Sequence, residues 1–270
     1  MNSKKENVSN LFTFCFTICP GRYWEFYNAL SSMLELSPPV QNMMLFFNPY
    51  SPKDHESFFD IGEVRHADII KKSKFTSLAK CWNQCLTFSN TRYALILNDD
   101  LVFQDINLIE KIYEKHQEGY PIVHATENWS GFSVDKSFIP KMGWFDERFA
   151  HSWEDADYRL RMKRLNIKDY RFEPNLIRHT RSKNGRLNNE WDASSAHFFN
   201  KWGIKDMLFR QTQTVYETSD PEVRKQLLMR GLFNDHFYND MYDMVEEVLP
   251  TPDFYPEITK KYAMGVYDDS

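Results

Sequence analysis

Leu95-Ile96-Leu97-Asn98-Asp99-Asp100-Leu101-Val102-Phe103 is the stretch whose reading decides the fold. An apolar run over residues 93–97 stops at Asn98-Asp99-Asp100, and apolar residues resume at once with Leu101. A run this short, with no helical periodicity, reads as a buried strand. In an open α/β sheet the C-terminal end of a strand is where ligands bind. Two adjacent carboxylates there repel each other unless water or a cation neutralises them. A hard divalent cation with oxygen ligands is the simplest neutraliser. A solvated turn is the plain alternative, because Asn and Asp are good turn residues.

Strands and helices alternate outward from this point. Residues 11–19 read as a first strand, ended by Pro20-Gly21-Arg22, and residues 23–36 as a helix stopped by Pro38-Pro39. A second strand over 40–47 ends at Asn48-Pro49-Tyr50-Ser51, and residues 53–63 are a polar loop or short helix. A short third strand over 64–70 precedes the basic Lys71, Lys72 and Lys74. Residues 76–88 form a helix with Leu78, Cys81, Trp82, Cys85 and Leu86 on one face. Beyond the central strand, a helix over 106–119 stops at Gly119, and further strands are expected at 120–125, 132–134 and 170–173. This alternation predicts an α/β fold with a mainly parallel sheet flanked by helices, and a mostly helical C-terminal extension. From residue 188 onward, 193–202 and 221–232 are candidate helices.

A second acidic cluster, Trp153-Glu154-Asp155-Ala156-Asp157, opens a helix expected over 154–165. Acidic residues in the first turn suit the helix dipole, and Asp157 is spaced to pair with Arg161 at i+4. Glu154 and Asp155 stand at the helix mouth, where a side chain can face a cleft.

Composition excludes several classes. The 270 residues are 42% hydrophobic and 16% aromatic, enough for a sizeable core. Only 9 are glycine, and neither a dinucleotide-binding nor a P-loop motif is present. A net charge of -5 gives no global attraction to nucleic acid or anionic membrane. Lys163, Arg164, Lys168 and the basic residues between Arg178 and Arg186 would suit a polyanion locally, or are scattered surface charge. The N-terminus has no signal-peptide apolar region, and no run of 18 apolar residues spans a membrane. Cys15, Cys19, Cys81 and Cys85 read as reduced thiols of a cytoplasmic protein.

Asn98-Asp99-Asp100, then Gly143-x-Phe145-Asp146-Glu147-x-Phe149, then Trp153-Glu154-Asp155-x-Asp157, resembles the GT-A glycosyltransferases, particularly the family 2-like inverting enzymes. His179 stands where that family often completes its metal site, and Lys201-Trp202-Gly203 looks like the segment that closes many such domains. The resemblance covers 11–203. The polar residues 1–10 read as a mobile N-terminus, and the composition of 204–270 as a helical extension. The resemblance implies a GT-A catalytic domain over 11–203. It implies sugar transfer from a nucleotide-diphosphate sugar, UDP-sugar first, to a hydroxyl on a glycan, lipid-linked precursor, protein or modified DNA base. The cofactor implied is Mn²⁺ or Mg²⁺, held by Asp100, His179 and Asn98. Asp155 is the implied catalytic base, with Glu154 as the alternative. Pro20, Arg22, Asn48, Lys74, Asn83, Asn98, Asp99 and Gly131 are implied on the donor side, and Trp129 and Trp153 on the acceptor side. The turn Asn48-Pro49-Tyr50-Ser51 and the Phe75-Thr76-Ser77 segment depart from the family pattern and leave base recognition open. The extension is a candidate acceptor contact or homodimer surface. A non-catalytic nucleotide-sugar or glycan binding protein and a metal-dependent nucleotidyltransferase are the competing functions.

Overall fold

A computed structural model describes residues 8–19, 21–36, 42–48, 67–71, 76–149 and 153–180, together with 194, 197, 198, 201 and 202. Its strands are β1 (Phe12–Ile18), β2 (Met43–Phe47), β3 (Asp68–Lys71), β4 (Tyr93–Asn98), β5 (Leu101–Phe103), β6 (Ile122–His124), β7 (Gly131–Asp135), β8 (Asp169–Arg171) and β9 (Ile177–His179). Its helices are α1 (Tyr23–Leu36), α2 (Leu78–Phe88), α3 (Leu108–Gln117), the short α4 (Ile139–Met142) and α5 (Glu154–Arg164).

Seven strands make one sheet in the order β3-β2-β1-β4-β7-β6-β8, and β5 pairs with β9 apart from it. β1 is parallel to β2 and β4, β2 to β3, and β6 to β8. β7 alone runs antiparallel to its neighbours β4 and β6. The expected mainly parallel α/β architecture is what forms. The antiparallel strand results from a short link: β6 and β7 are joined by the six residues 125–130, whereas parallel neighbours need a long crossover.

Every residue of β1 is buried, because side chains of period two feed two cores. Phe12, Phe14, Phe16 and Ile18 pack with Phe26, Leu30 and Met33 of α1. Cys15 faces the other way, with Phe46, Trp82, Phe132 and Phe145. The four cysteines are free thiols, three of them buried.

Several boundaries move for local reasons. The second helix starts at Leu78 because the Ser77 hydroxyl accepts the Lys80 amide and caps it. α3 stops before Gly119, whose φ of 96° suits glycine. Residues 8–11 form a 3-10 turn with Ser9 buried, so 8–10 do not belong to the expected mobile terminus. The expected elements at 53–63 and 221–232, and the extension over 204–270, lie outside the described residues. Among the described residues no helix is long and apolar enough to cross a membrane.

Candidate active site

β1, β2 and β4 run parallel, so their C-terminal ends, and the residues just beyond those ends, share one edge of the sheet. Asp99 is 1% exposed there, and its carboxylate is held from two sides. The Cys19 amide donates to Oδ2 at 2.7 Å and Arg22 Nη1 donates to Oδ1 at 2.9 Å. Burial pushes its carboxyl up to about 6, with Arg22 pulling the other way. Asp99 is thereby a strut between β4 and the β1–α1 turn. The same Nη1 lies 3.5 Å from Asp100 Oδ2, so Arg22 is the local cation for both acids.

Asp100 turns toward the small sheet. The register Leu101↔His179 lays β9 against β5, and Thr180 bonds the Asp100 carbonyl through its amide and its hydroxyl, each at 2.9 Å. His179 Nε2 then stands 3.1 Å from Asp100 Oδ1. Arg178 is exposed, as alternation along β9 requires. Asn128 touches the ring from behind, its Nδ2 lying 3.2 Å from Nδ1.

This pair fits a hard or borderline divalent cation. Neighbouring ligands at about 2.1 Å from an octahedral ion lie about 3 Å from each other. Mg²⁺-like ions are held by one or two protein groups plus substrate phosphates, so a larger protein cage is unnecessary. None is built: among the described residues no three His, Cys, Asp or Glu side chains form a metal cluster. Asn128 Oδ1 accepts the Ser130 amide, so its Nδ2 donates to His179 and the ring proton sits on Nε2. Holding a cation at Nε2 requires that proton on Nδ1, with the Asn128 amide turned to accept it. Asn98 is partly exposed, and its side chain makes no hydrogen bond among the described residues.

The second cluster divides differently. Asp157 is fully buried; Arg161 Nε donates to it at 3.2 Å, Trp202 Nε1 at 2.9 Å, and Lys201 forms an ion pair with it. The i+4 pairing read from sequence is present. Glu154 is 4% exposed, and its Oε2 has no hydrogen-bond partner among the described residues. Burial, with Asp155 and Asp157 nearby, raises its carboxyl to about 8. Asp155 is only partly buried. Its Oδ1 accepts the Ala156 amide at 2.8 Å, and Oδ2 makes no hydrogen bond among the described residues. One turn links the clusters: Asn128 reaches His179, while its neighbour Trp129 packs against Tyr158 of α5 at 6.0 Å.

Four expected contacts are structural instead. Asn83 is fully buried, bonding Phe145 N and O at 2.9 Å each and Glu147 Oε1 at 3.0 Å. Trp129 is 5% exposed and ringed by Phe132, His124, Phe145 and Trp82, with no face left for an acceptor. Trp153 is equally buried, its ring 4.8 Å from Phe198. The Asn48 amide brackets the Thr76 backbone, at 2.5 and 2.7 Å, rather than facing a base. Gly131 owes its lack of a side chain to Thr126, since a Cβ would meet Thr126 Cγ2 at 2.9 Å. Pro20 and Lys74 lie outside the described residues. Sequence reasoning missed Asn128, whose only signal is the Asn-x-Ser turn it closes, and the ion pair of Lys201.

No family model matches the chain, and no curated protein matches it. Among solved structures it is similar to Staphylococcus aureus TarS 1-349, at 11% identity over 94% of this chain and 92% of that one, with a TM-score of 0.49. It is also similar to S. aureus TarS, at 12% identity and a TM-score of 0.51, over 90% of this chain and 56% of that one. At that identity the second likeness speaks for the fold alone, a mixed α/β fold with a mainly parallel sheet that this chain shares with TarS.

Proposed function

We propose that this chain transfers a sugar from a nucleotide-diphosphate sugar to an acceptor hydroxyl, with inversion and with a divalent cation, Mn²⁺ or Mg²⁺. The observation that carries the reading is the approach of Asp100 and His179 to 3.1 Å at the C-terminal edge of the parallel strands. A cation held by this pair supplies positive charge to the leaving diphosphate. Asn98, whose side chain makes no hydrogen bond among the described residues, touches the donor beside them in this reading.

Asp155 is the proton acceptor in this reading. The acceptor oxygen bonds to the anomeric carbon, the bond to the diphosphate oxygen breaks, and the hydroxyl proton passes to Asp155 Oδ2. The Ala156 amide on Oδ1 fixes how that carboxylate presents its other oxygen. Glu154 is a poor base at neutral pH, because burial keeps its proton on up to about pH 8. One base and no covalent intermediate give inversion, as in inverting glycoside hydrolysis.

The test is a panel of nucleotide sugars with Mn²⁺, read first by thermal shift and then by release of nucleoside diphosphate with candidate acceptors. One donor should raise Tm in a Mn²⁺-dependent way, turn over, and give the inverted anomer. Asp100→Ala should lose the Mn²⁺-dependent part of donor binding. Release of pyrophosphate with nucleotide transfer would mean a nucleotidyltransferase. Binding without turnover on any acceptor would mean a binding protein.

A further inference from the structure

Five helical residues, Ser194, His197, Phe198, Lys201 and Trp202, share one helix face by their spacing of i, i+3, i+4, i+7 and i+8. All five are buried or partly buried, and four of them meet the two motifs that flank the candidate base. His197 Nε2 reaches Asp146 Oδ2 at 2.8 Å, and its ring meets Phe149 at 4.8 Å. Phe198 lies 4.8 Å from the Trp153 ring. Lys201 Nζ lies 3.4 Å from Asp146 Oδ2 and pairs with Asp157 Oδ1, which also accepts Trp202 Nε1. The acids it joins are both fully buried, and its own side chain is 6% exposed. Asp146 comes just after α4, whereas Asp157 lies in the first turn of α5, two residues past Asp155. Lys201 therefore ties the middle of one motif to the last residue of the next.

The entry to α5 needs such a tie. Trp153 has a φ of 73°, a left-handed conformation that a bulky residue holds only when its surroundings enforce it. Its carbonyl accepts the Asp157 amide at 2.9 Å, closing the turn that carries Glu154 and Asp155. Phe198 covers the ring of Trp153, while Lys201 and Trp202 hold Asp157. The same face fixes both ends of that turn.

Resting on the glycosyl-transfer reading, we propose that Lys201 and Trp202 are positioning residues for Asp155. They act through Asp157 to set the direction of the base, and touch neither donor nor acceptor. Loss of the Lys201 charge leaves buried Asp157 with Arg161 as its one cation among the described residues and cuts its tie to Asp146, which loosens the turn and misdirects Asp155.

The experiment uses the full chain with Lys201→Met, which keeps length and removes charge, and Lys201→Arg as the conservative rescue. Trp202→Phe removes only the indole N–H and carries the same test if Lys201→Met does not fold. Lys201→Met should lower kcat about 10-fold or more while the donor KM stays within about twofold, and Lys201→Arg should restore most of it. In an Asp155→Asn background the same substitution should remove less than about twofold further, because the two act through one group. Hydrogen exchange at the Asp157 amide should quicken about 10-fold, with the Phe16 amide of β1 unchanged. An undiminished kcat, or an equal loss without Asp155, overturns the proposal. If no donor is turned over by the unmodified chain, the transfer reading falls, and unchanged exchange at Asp157 then overturns this inference separately.

Discussion

The two acidic clusters contrast in where their cations come from. At the end of β4, Asp99 and Asp100 share Arg22, which stands just past the neighbouring strand β1. At the head of α5, Asp157 is neutralised by Arg161 from its own helix and by Lys201 from far down the chain, while Glu154 has no salt bridge among the described residues and holds a proton instead. In each cluster one acid, Asp99 or Asp157, is locked into the scaffold, and in the glycosyl-transfer reading the other serves the ligand: Asp100 beside His179, and Asp155, whose Oδ2 makes no hydrogen bond among the described residues. Burial and the cation each acid meets divide scaffold from chemistry; position in the motif does not.

Substitutions can break that division, and the largest effect belongs to the most enclosed acid. Asp157→Ala strands Arg161 and Lys201 in the interior and should cost about 3–5 kcal/mol. A fall in Tm of about 6–20 °C by calorimetry checks it, and a Tm unchanged would move Asp157 out of the scaffold. Asp99→Ala orphans the Cys19 amide, but Arg22 keeps Asp100 nearby and its side chain is 19% exposed, so about 1–3 kcal/mol is expected by urea titration.

Glu154 sharpens the comparison through pH. Its ordinary value of 4.5 is raised to about 8, so the folded state holds a proton that the unfolded chain releases between those values. Stability from this group is full below about pH 4.5 and is lost as pH rises toward 8. Glu154→Gln should therefore gain on the unmodified protein as pH rises from 5 to 8, read by calorimetry as a Tm difference that widens with pH. A difference independent of pH would mean that Glu154 is ionised in the fold. The smallest effect is expected at the surface pair Lys111–Asp105, where Lys111→Ala should change stability by less than about 1 kcal/mol.

Much of this is legible from residues alone. The strand ending at Asn98, helix α1, the Gly119 stop and the Asp157–Arg161 pair all come from local spacing, which a sequence displays directly. The lock on Asp99 is not legible, since Cys19 and Arg22 lie 80 and 77 positions away and neither belongs to a motif. Trp129 and Trp153 mislead for a related reason. An aromatic beside an acidic motif looks the same whether it lines a cleft or fills a core, and only packing separates the cases. Asn83 suggests a donor contact because its helix matches the family pattern, yet the Phe145 backbone uses its amide. β7 is legible as a strand, but its antiparallel direction depends on the short link before it.

Asp155→Asn tests the central claim most directly, because it removes the proton acceptor and keeps the shape. With the donor found in the panel, kcat should fall by about 10²–10⁴-fold while Mn²⁺-dependent donor binding and Tm stay as they are. A variant that keeps near-normal kcat, while Glu154→Gln is inactive, would put the base at Glu154 and contradict the division of the two clusters into scaffold and chemistry.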